Sequence, residues 1–124
     1  MKAATRIAAA FCAMLLVGVA RADGDATRGE ARFQECAACH RLDAGSGGVG
    51  PSLHGVFERK AGELADFRFS PALKRSGIVW SPQTLEAYLA DPQALVPGNR
   101  MPYAGMASAA DRADLIAYLQ KATQ

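Results

Sequence analysis

The chain has 124 residues, 50% of them hydrophobic and 21% charged, with a formal net charge of +2. That length allows one small domain and excludes a second core, and the composition excludes a disordered tail or a multi-span membrane protein.

Lys2 and Arg6 precede an uncharged, mostly apolar run from Ile7 to Ala20. A basic start followed by such a run is the pattern of an export signal, and Ala20 and Ala22 supply small residues at the two positions a signal peptidase reads. Residues 1–22 are therefore expected to be a cleaved signal peptide, with a mature domain from Asp23 to Gln124. The run falls short of the ~20 apolar residues that span a bilayer. Cys12 follows Phe11, too bulky for a lipoprotein cleavage site, and leaves with the signal. Removal takes Lys2, Arg6 and Arg21, so the 14 basic residues fall by three against an unchanged 12 acidic ones. The mature domain is about one unit negative, and its charge gives no support to nucleic-acid or anionic-membrane binding. Export places it in the periplasm as a soluble protein, where Cys36 and Cys39 would form a disulfide unless something else claims them.

Asp25 can cap a first helix running to about Cys36, with Gly29 and Phe33 four apart on one face. From Arg41 to about Phe69 the pattern loses its period and contains GSGGVGP, which forms no regular element. A loop of that length in so small a domain needs a surface to pack on.

Ser70-Pro71 opens a short helix that Gly77 stops. Ser81-Pro82 opens another, ended or broken at Asp91-Pro92, with Leu85, Tyr88 and Leu89 on one face. After the breaks in VPGNRMPYAGM, Ser108 and Asp111 form a capping-box-like start to a last helix. Its stripe is Leu115, Leu119 and Ala122, flanked by Ile116 and Tyr118. No strand alternates convincingly, so the fold class is all-α with long loops.

ECAACHRL, Glu35 to Leu42, carries the chemistry. A thioredoxin-like redox dithiol needs a strand and a βαβ context, which the pattern lacks. Structural zinc needs four ligands, and the mature chain offers Cys36, Cys39, His40 and His54, with Cys39 and His40 adjacent and poorly disposed for one tetrahedron. Haem attachment uses every part of C-x-x-C-H: two thiols add to the vinyl groups of one porphyrin edge, and the following imidazole reaches the iron. For the other axial position the mature chain offers Met101, Met106 and His54.

Beside CAACH, the stretches GPSLHGVFERKAG, FSPALKRSGIVW, LEAYLADP, VPGNRMPYAGM and DLIAYLQKAT follow in order. Together they resemble the class I c-type cytochromes of the mitochondrial and bacterial-photosynthetic branch, over residues 24–124. The resemblance implies the cytochrome c fold, with first and last helices crossing where Gly29 and Phe33 meet Leu115 and Tyr118, around one covalently bound haem c. It implies thioether attachment through Cys36 and Cys39 and axial iron ligation by His40 and Met101. Pro51 is implied as the carbonyl acceptor for His40, Trp80 and Arg59 as partners of a haem propionate, and Tyr88 and Asn99 as polar residues near the methionine sulfur and haem edge. Met106 is implied as packing, and His54 as a histidine that ties two loops together.

Phe69 stands where relatives carry a propionate-bonding tyrosine, and Leu73 where a polar residue often helps hold water. Lysines that ring the haem edge in mitochondrial relatives are replaced here by Glu35, Ala94, Ala107 and Ser108, with Arg100 the main surviving cation. Paired histidine and thioether leave no open iron position for oxygen chemistry. The expected function is a monomeric one-electron carrier rather than an enzyme, exchanging electrons with redox complexes at the haem edge. The alternatives are a cytochrome subunit dedicated to one dehydrogenase, a peroxidase if Met101 leaves the iron readily, and a haem-based gas sensor.

Overall fold

The computed structural model describes residues 23–124. The expected signal peptide lies outside the described residues. Five helices follow in order: α1 Ala26–Ala37, α2 Pro71–Arg75, α3 Pro82–Ala90, α4 Pro92–Leu95 and α5 Ala109–Ala122. The fold is all-α, and the sole strand-like pairing among the described residues is an antiparallel bridge between Lys60 and Val79.

Each helix start follows from a side-chain cap. Asp25, Ser70, Ser81, Asp91 and Ser108 accept from a backbone N–H three residues on, satisfying a donor that the first turn leaves open. At Ser81 the bond is reciprocated, because the Thr84 hydroxyl accepts from the Ser81 N–H at 2.8 Å. At Ser108 it is not. The Asp111 carboxylate lies 3.2 Å from the Arg32 guanidinium of α1, so the expected capping box is half formed and its acid ties two helices together. Asp91 both ends α3 and caps α4, a one-turn helix that the periodicity did not reveal because four residues carry no period.

α1 and α5 pack directly against each other. A Cβ on Gly29 would overlap the Asp114 carbonyl oxygen, so the crossing is closer than any other residue permits. Phe33 and Tyr118 pack there with ring centroids 5.6 Å apart, and Leu115 has no exposed surface. Beside this apolar contact, the buried Asp114 carboxylate accepts from the Asp25 N–H at 2.6 Å and from Arg28 Nε at 2.7 Å and Nη2 at 3.0 Å. Those bonds hold its pKa below the ordinary carboxylate value, the Arg28 bond contributing most. Ala122 is half-buried rather than core, whereas Thr123 is buried and its carbonyl accepts from the Gly55 N–H.

The long loop packs on the helices through a core that includes Val56, Ala61, Phe69 and Trp80. Residues 58–61 and 78–80 run side by side: Glu58 donates to the Trp80 carbonyl at 2.7 Å, Trp80 to Arg59 at 2.9 Å and Ala61 to Ile78 at 2.8 Å. This pairing brings the loop's arginine next to the tryptophan.

Candidate functional site

The cap that ends α1 also aims its chemistry. Cys39 and His40 N–H groups both donate to the Cys36 carbonyl, at 3.1 and 2.9 Å, folding the chain tightly after the helix. The carbonyl of Pro51 then lies 2.8 Å from His40 Nδ1. A carbonyl can only accept, so Nδ1 carries a proton, and the lone pair of the neutral ring falls on Nε2. Gly50 packs close to the ring: a Cβ there would lie 2.9 Å from His40 Cε1.

Cys36, Cys39 and His40 share a cavity of about 390 Å³ with Pro51, Arg59, Trp80, Tyr88, Asn99 and Met101. All nine residues singled out from sequence therefore line one space, with Leu53, Phe69, Leu73, Leu85 and Leu115 among its apolar walls. His54 is exposed and outside it, and Met106 is core packing with its N–H on the Leu89 carbonyl. The His54 ring makes no hydrogen bond among the described residues. Its carbonyl accepts from Arg59 at 3.0 Å, so the loop is tied through backbone rather than imidazole.

Two alternatives for the dithiol fail here. No disulfide joins Cys36 and Cys39, and burial, Glu35 and Cys39 push the Cys36 thiol up to about 11, the reverse of what a redox catalyst requires. Among the described residues no group of three or more His, Cys, Asp or Glu side chains is placed to hold a metal.

Residues 26–123 match the family model for cytochrome c. The chain belongs to the cytochrome c family. It is 53% identical over 88 residues to cytochrome c2 iso-2 of Magnetospirillum fulvum, covering 71% of this chain and 92% of that one. It is 41% identical over 117 residues to cytochrome c2 of Rhodomicrobium vannielii, covering 94% of each. The solved structure of cytochrome cH from Methylobacterium extorquens superimposes with a TM-score of 0.74 at 47% identity, covering 78% of this chain and 98% of that chain. The resemblance drawn from the motifs is borne out, and the cofactor of this cytochrome c is one covalently bound haem c.

The cavity suits that group on its own evidence. Its walls are mainly apolar, as a porphyrin face requires. Trp80 and Tyr88 are buried against each other with ring centroids 5.0 Å apart, yet neither the indole N–H nor the phenol hydroxyl has a hydrogen-bond partner among the described residues. Burial raises the Tyr88 hydroxyl to about 12, keeping it protonated as a donor. Arg59 is half-buried and donates to the His54 and Ser52 carbonyls at 3.0 Å, but forms no ion pair among the described residues. Burial lowers its pKa, and the charges of Asp66 and Glu63, neither of them in an ion pair with it, offset that cost only in part. Unused donors and a half-buried, only partly compensated cation beside an apolar cavity suit a flat ligand with acidic edges.

Asn99 plays a different part from the one its position suggests. Its amide nitrogen donates to the Pro92 and Val96 carbonyls at 2.9 and 3.0 Å, and its oxygen accepts from the Met101 N–H at 3.0 Å. The amide is committed to shaping the loop that carries Met101. Phe69 is buried at the cavity wall, its ring centroid 4.8 Å from that of Phe67, and Leu73 closes the wall nearby, so both departures from the family pattern are apolar contacts.

Proposed function

We propose that this chain is a periplasmic one-electron carrier whose haem iron is held by His40 Nε2 and the Met101 sulfur. Cys36 and Cys39 fix the porphyrin as thioethers. The observation carrying the reading is the Pro51 carbonyl on His40 Nδ1 at 2.8 Å, which leaves Nε2 unprotonated on a cavity that Met101 also lines. The haem supplies a one-electron iron couple when bound. His40 presents a fixed lone pair whose basicity the Pro51 bond raises. A thioether in the second position favours ferrous iron and raises the potential. With both axial positions filled by the protein, small ligands meet no open site, which favours a carrier over a peroxidase or gas sensor.

Trp80 and Arg59 offer their N–H groups to the acidic edge of the haem, Tyr88 offers its hydroxyl near the methionine sulfur, and Asn99 sets the backbone at Met101. Residues 1–22 act as the cleaved export signal. The partners are redox proteins that dock where the haem edge is exposed. Glu35, Ala94, Arg100, Ala107 and Ser108 are all exposed and nearly neutral as a group, so docking depends only weakly on salt.

The test is spectroscopic. Exported holoprotein should begin at Asp23, show a low-spin c-type spectrum when reduced, and carry the weak sulfur-to-iron charge-transfer band when oxidised. Met101→Ala should abolish that band. A band unchanged in that variant would refute the ligand assignment, and rapid carbon monoxide binding by ferrous wild type would favour a sensor.

A further inference from the structure

We propose that Gln93 is a positioning residue for Met101, acting through Gly98 and Asn99; the proposal rests on Met101 being the thioether ligand. Gln93 lies on α4, is exposed and lines no part of the cavity. Its side chain nevertheless spans the turn before the methionine. The carbonyl oxygen Oε1 accepts from the Gly98 N–H at 3.1 Å, and Nε2 donates to the Asn99 carbonyl at 3.1 Å. Because an N–H can only donate and a carbonyl only accept, these partners fix which end of the amide is which.

The turn needs the support. Gly98 has φ +88, in the left-handed region, and between Val96 and Met101 the chain follows no helix or strand. Among the described residues the Gly98 N–H and the Asn99 carbonyl have no backbone partner, so Gln93 satisfies two of the groups that the turn leaves open. Asn99 holds the same turn from inside through Pro92 and Val96, and passes the constraint to Met101 through its oxygen. Gln93 outside and Asn99 inside therefore clamp one turn between α4 and Met101. Water can replace the Gln93 bonds at this exposed site but cannot fix the turn's geometry. Without the clamp, conformations in which the sulfur is off the iron gain population, and the affinity for any competing ligand rises with that fraction.

Imidazole, added to the oxidised holoprotein, is the probe because it binds iron only when the methionine is displaced. Gln93→Ala is expected to bind imidazole about tenfold more tightly, as loss of two hydrogen bonds allows. Gln93→Glu keeps the acceptor for Gly98 but sets a carboxylate against the Asn99 carbonyl, and should fall near Gln93→Ala at neutral pH. Thr84→Ala, which removes the reciprocal cap of α3 and has no hydrogen bond to this turn, controls for general loss of stability and should stay within about twofold of wild type. Imidazole affinity of Gln93→Ala within about twofold of wild type would overturn the proposal, as would an equal shift in Thr84→Ala. Failure of the ligand assignment is separately visible, because wild type would then lack the charge-transfer band before any imidazole is added.

Discussion

His40 donates its Nδ1–H to the carbonyl of Pro51 across 2.8 Å, and Gly50, the residue before that proline, lies close against the same imidazole. The proline's carbonyl is free to accept, and the glycine's missing side chain lets the loop come close enough to do so. One two-residue step thus sets both the tautomer and the orientation of the ring.

Gly50→Ala should disturb that step without removing any hydrogen-bonding group. The added Cβ would lie 2.9 Å from His40 Cε1 and 3.0 Å from Nδ1, so either the ring tilts or the loop retreats. Strain of that kind costs roughly 1–3 kcal/mol. The expected outcome is a lower guanidinium midpoint together with a shifted Soret band and reduction potential. A lower midpoint with an unchanged spectrum and potential would show that the loop moves and the ring does not.

Gly29→Ala tests the helix crossing by the same steric argument at a residue that does not line the cavity. Here the obstacle is backbone, the Asp114 carbonyl, which cannot rotate away as a side chain can. The two helices must separate, and the cost should reach or exceed about 3 kcal/mol. Denaturant melts followed by far-ultraviolet circular dichroism should show the loss, while the charge-transfer band of the folded fraction stays in place.

What the sequence reveals depends on whether the signal is local. Every cap is a short-range pattern, so four of the five helices and their starts are readable from Asp25, Ser70, Ser81 and Ser108 with their neighbours. The motif from Cys36 to His40 is equally local, and the family likeness supplies Met101, Trp80 and Arg59 across large separations. Hidden were relationships with no pattern along the chain. α4 is too short to show a period, and Asp114 looks like any helical acid until the fold brings Asp25 and Arg28 to it. Gln93 reads as a solvated polar residue because the turn that it spans does not exist until the loop folds. Asn99 could be placed near the methionine by likeness, but only the geometry shows its amide turned to backbone.

Asp114→Asn should alter stability in a pH-dependent way. The bonds from Arg28 and from the Asp25 N–H depress the folded-state pKa of Asp114 below its unfolded value. A depressed acid contributes its stability above the unfolded pKa of about 4, and the contribution fades as pH falls through the folded value. Wild type should therefore lose stability on acidification below about pH 4 more steeply than the variant, which starts lower at pH 7 and has a flatter acid limb. Parallel acid limbs in urea melts at pH 7, 4 and 3 would contradict this assignment.

Tyr88 sets the corresponding limit at alkaline pH. Burial raises its folded-state pKa to about 12, while in the unfolded chain the hydroxyl ionises near 10. A raised pKa means that stability is fully present below about pH 10 and is lost as pH climbs toward the folded value, because the unfolded chain sheds its proton first. Tyr88→Phe removes this term. The variant should lose less stability than wild type between pH 9 and 11.5, while at pH 7 any difference reflects the hydroxyl's own contacts. Absorbance at 295 nm gives an independent check: one tyrosine of wild type should titrate late, and in Tyr88→Phe that late step should be missing. If the late step survives the substitution, Tyr88 is not the slowest-ionising phenol and not the hydroxyl sealed inside the cavity.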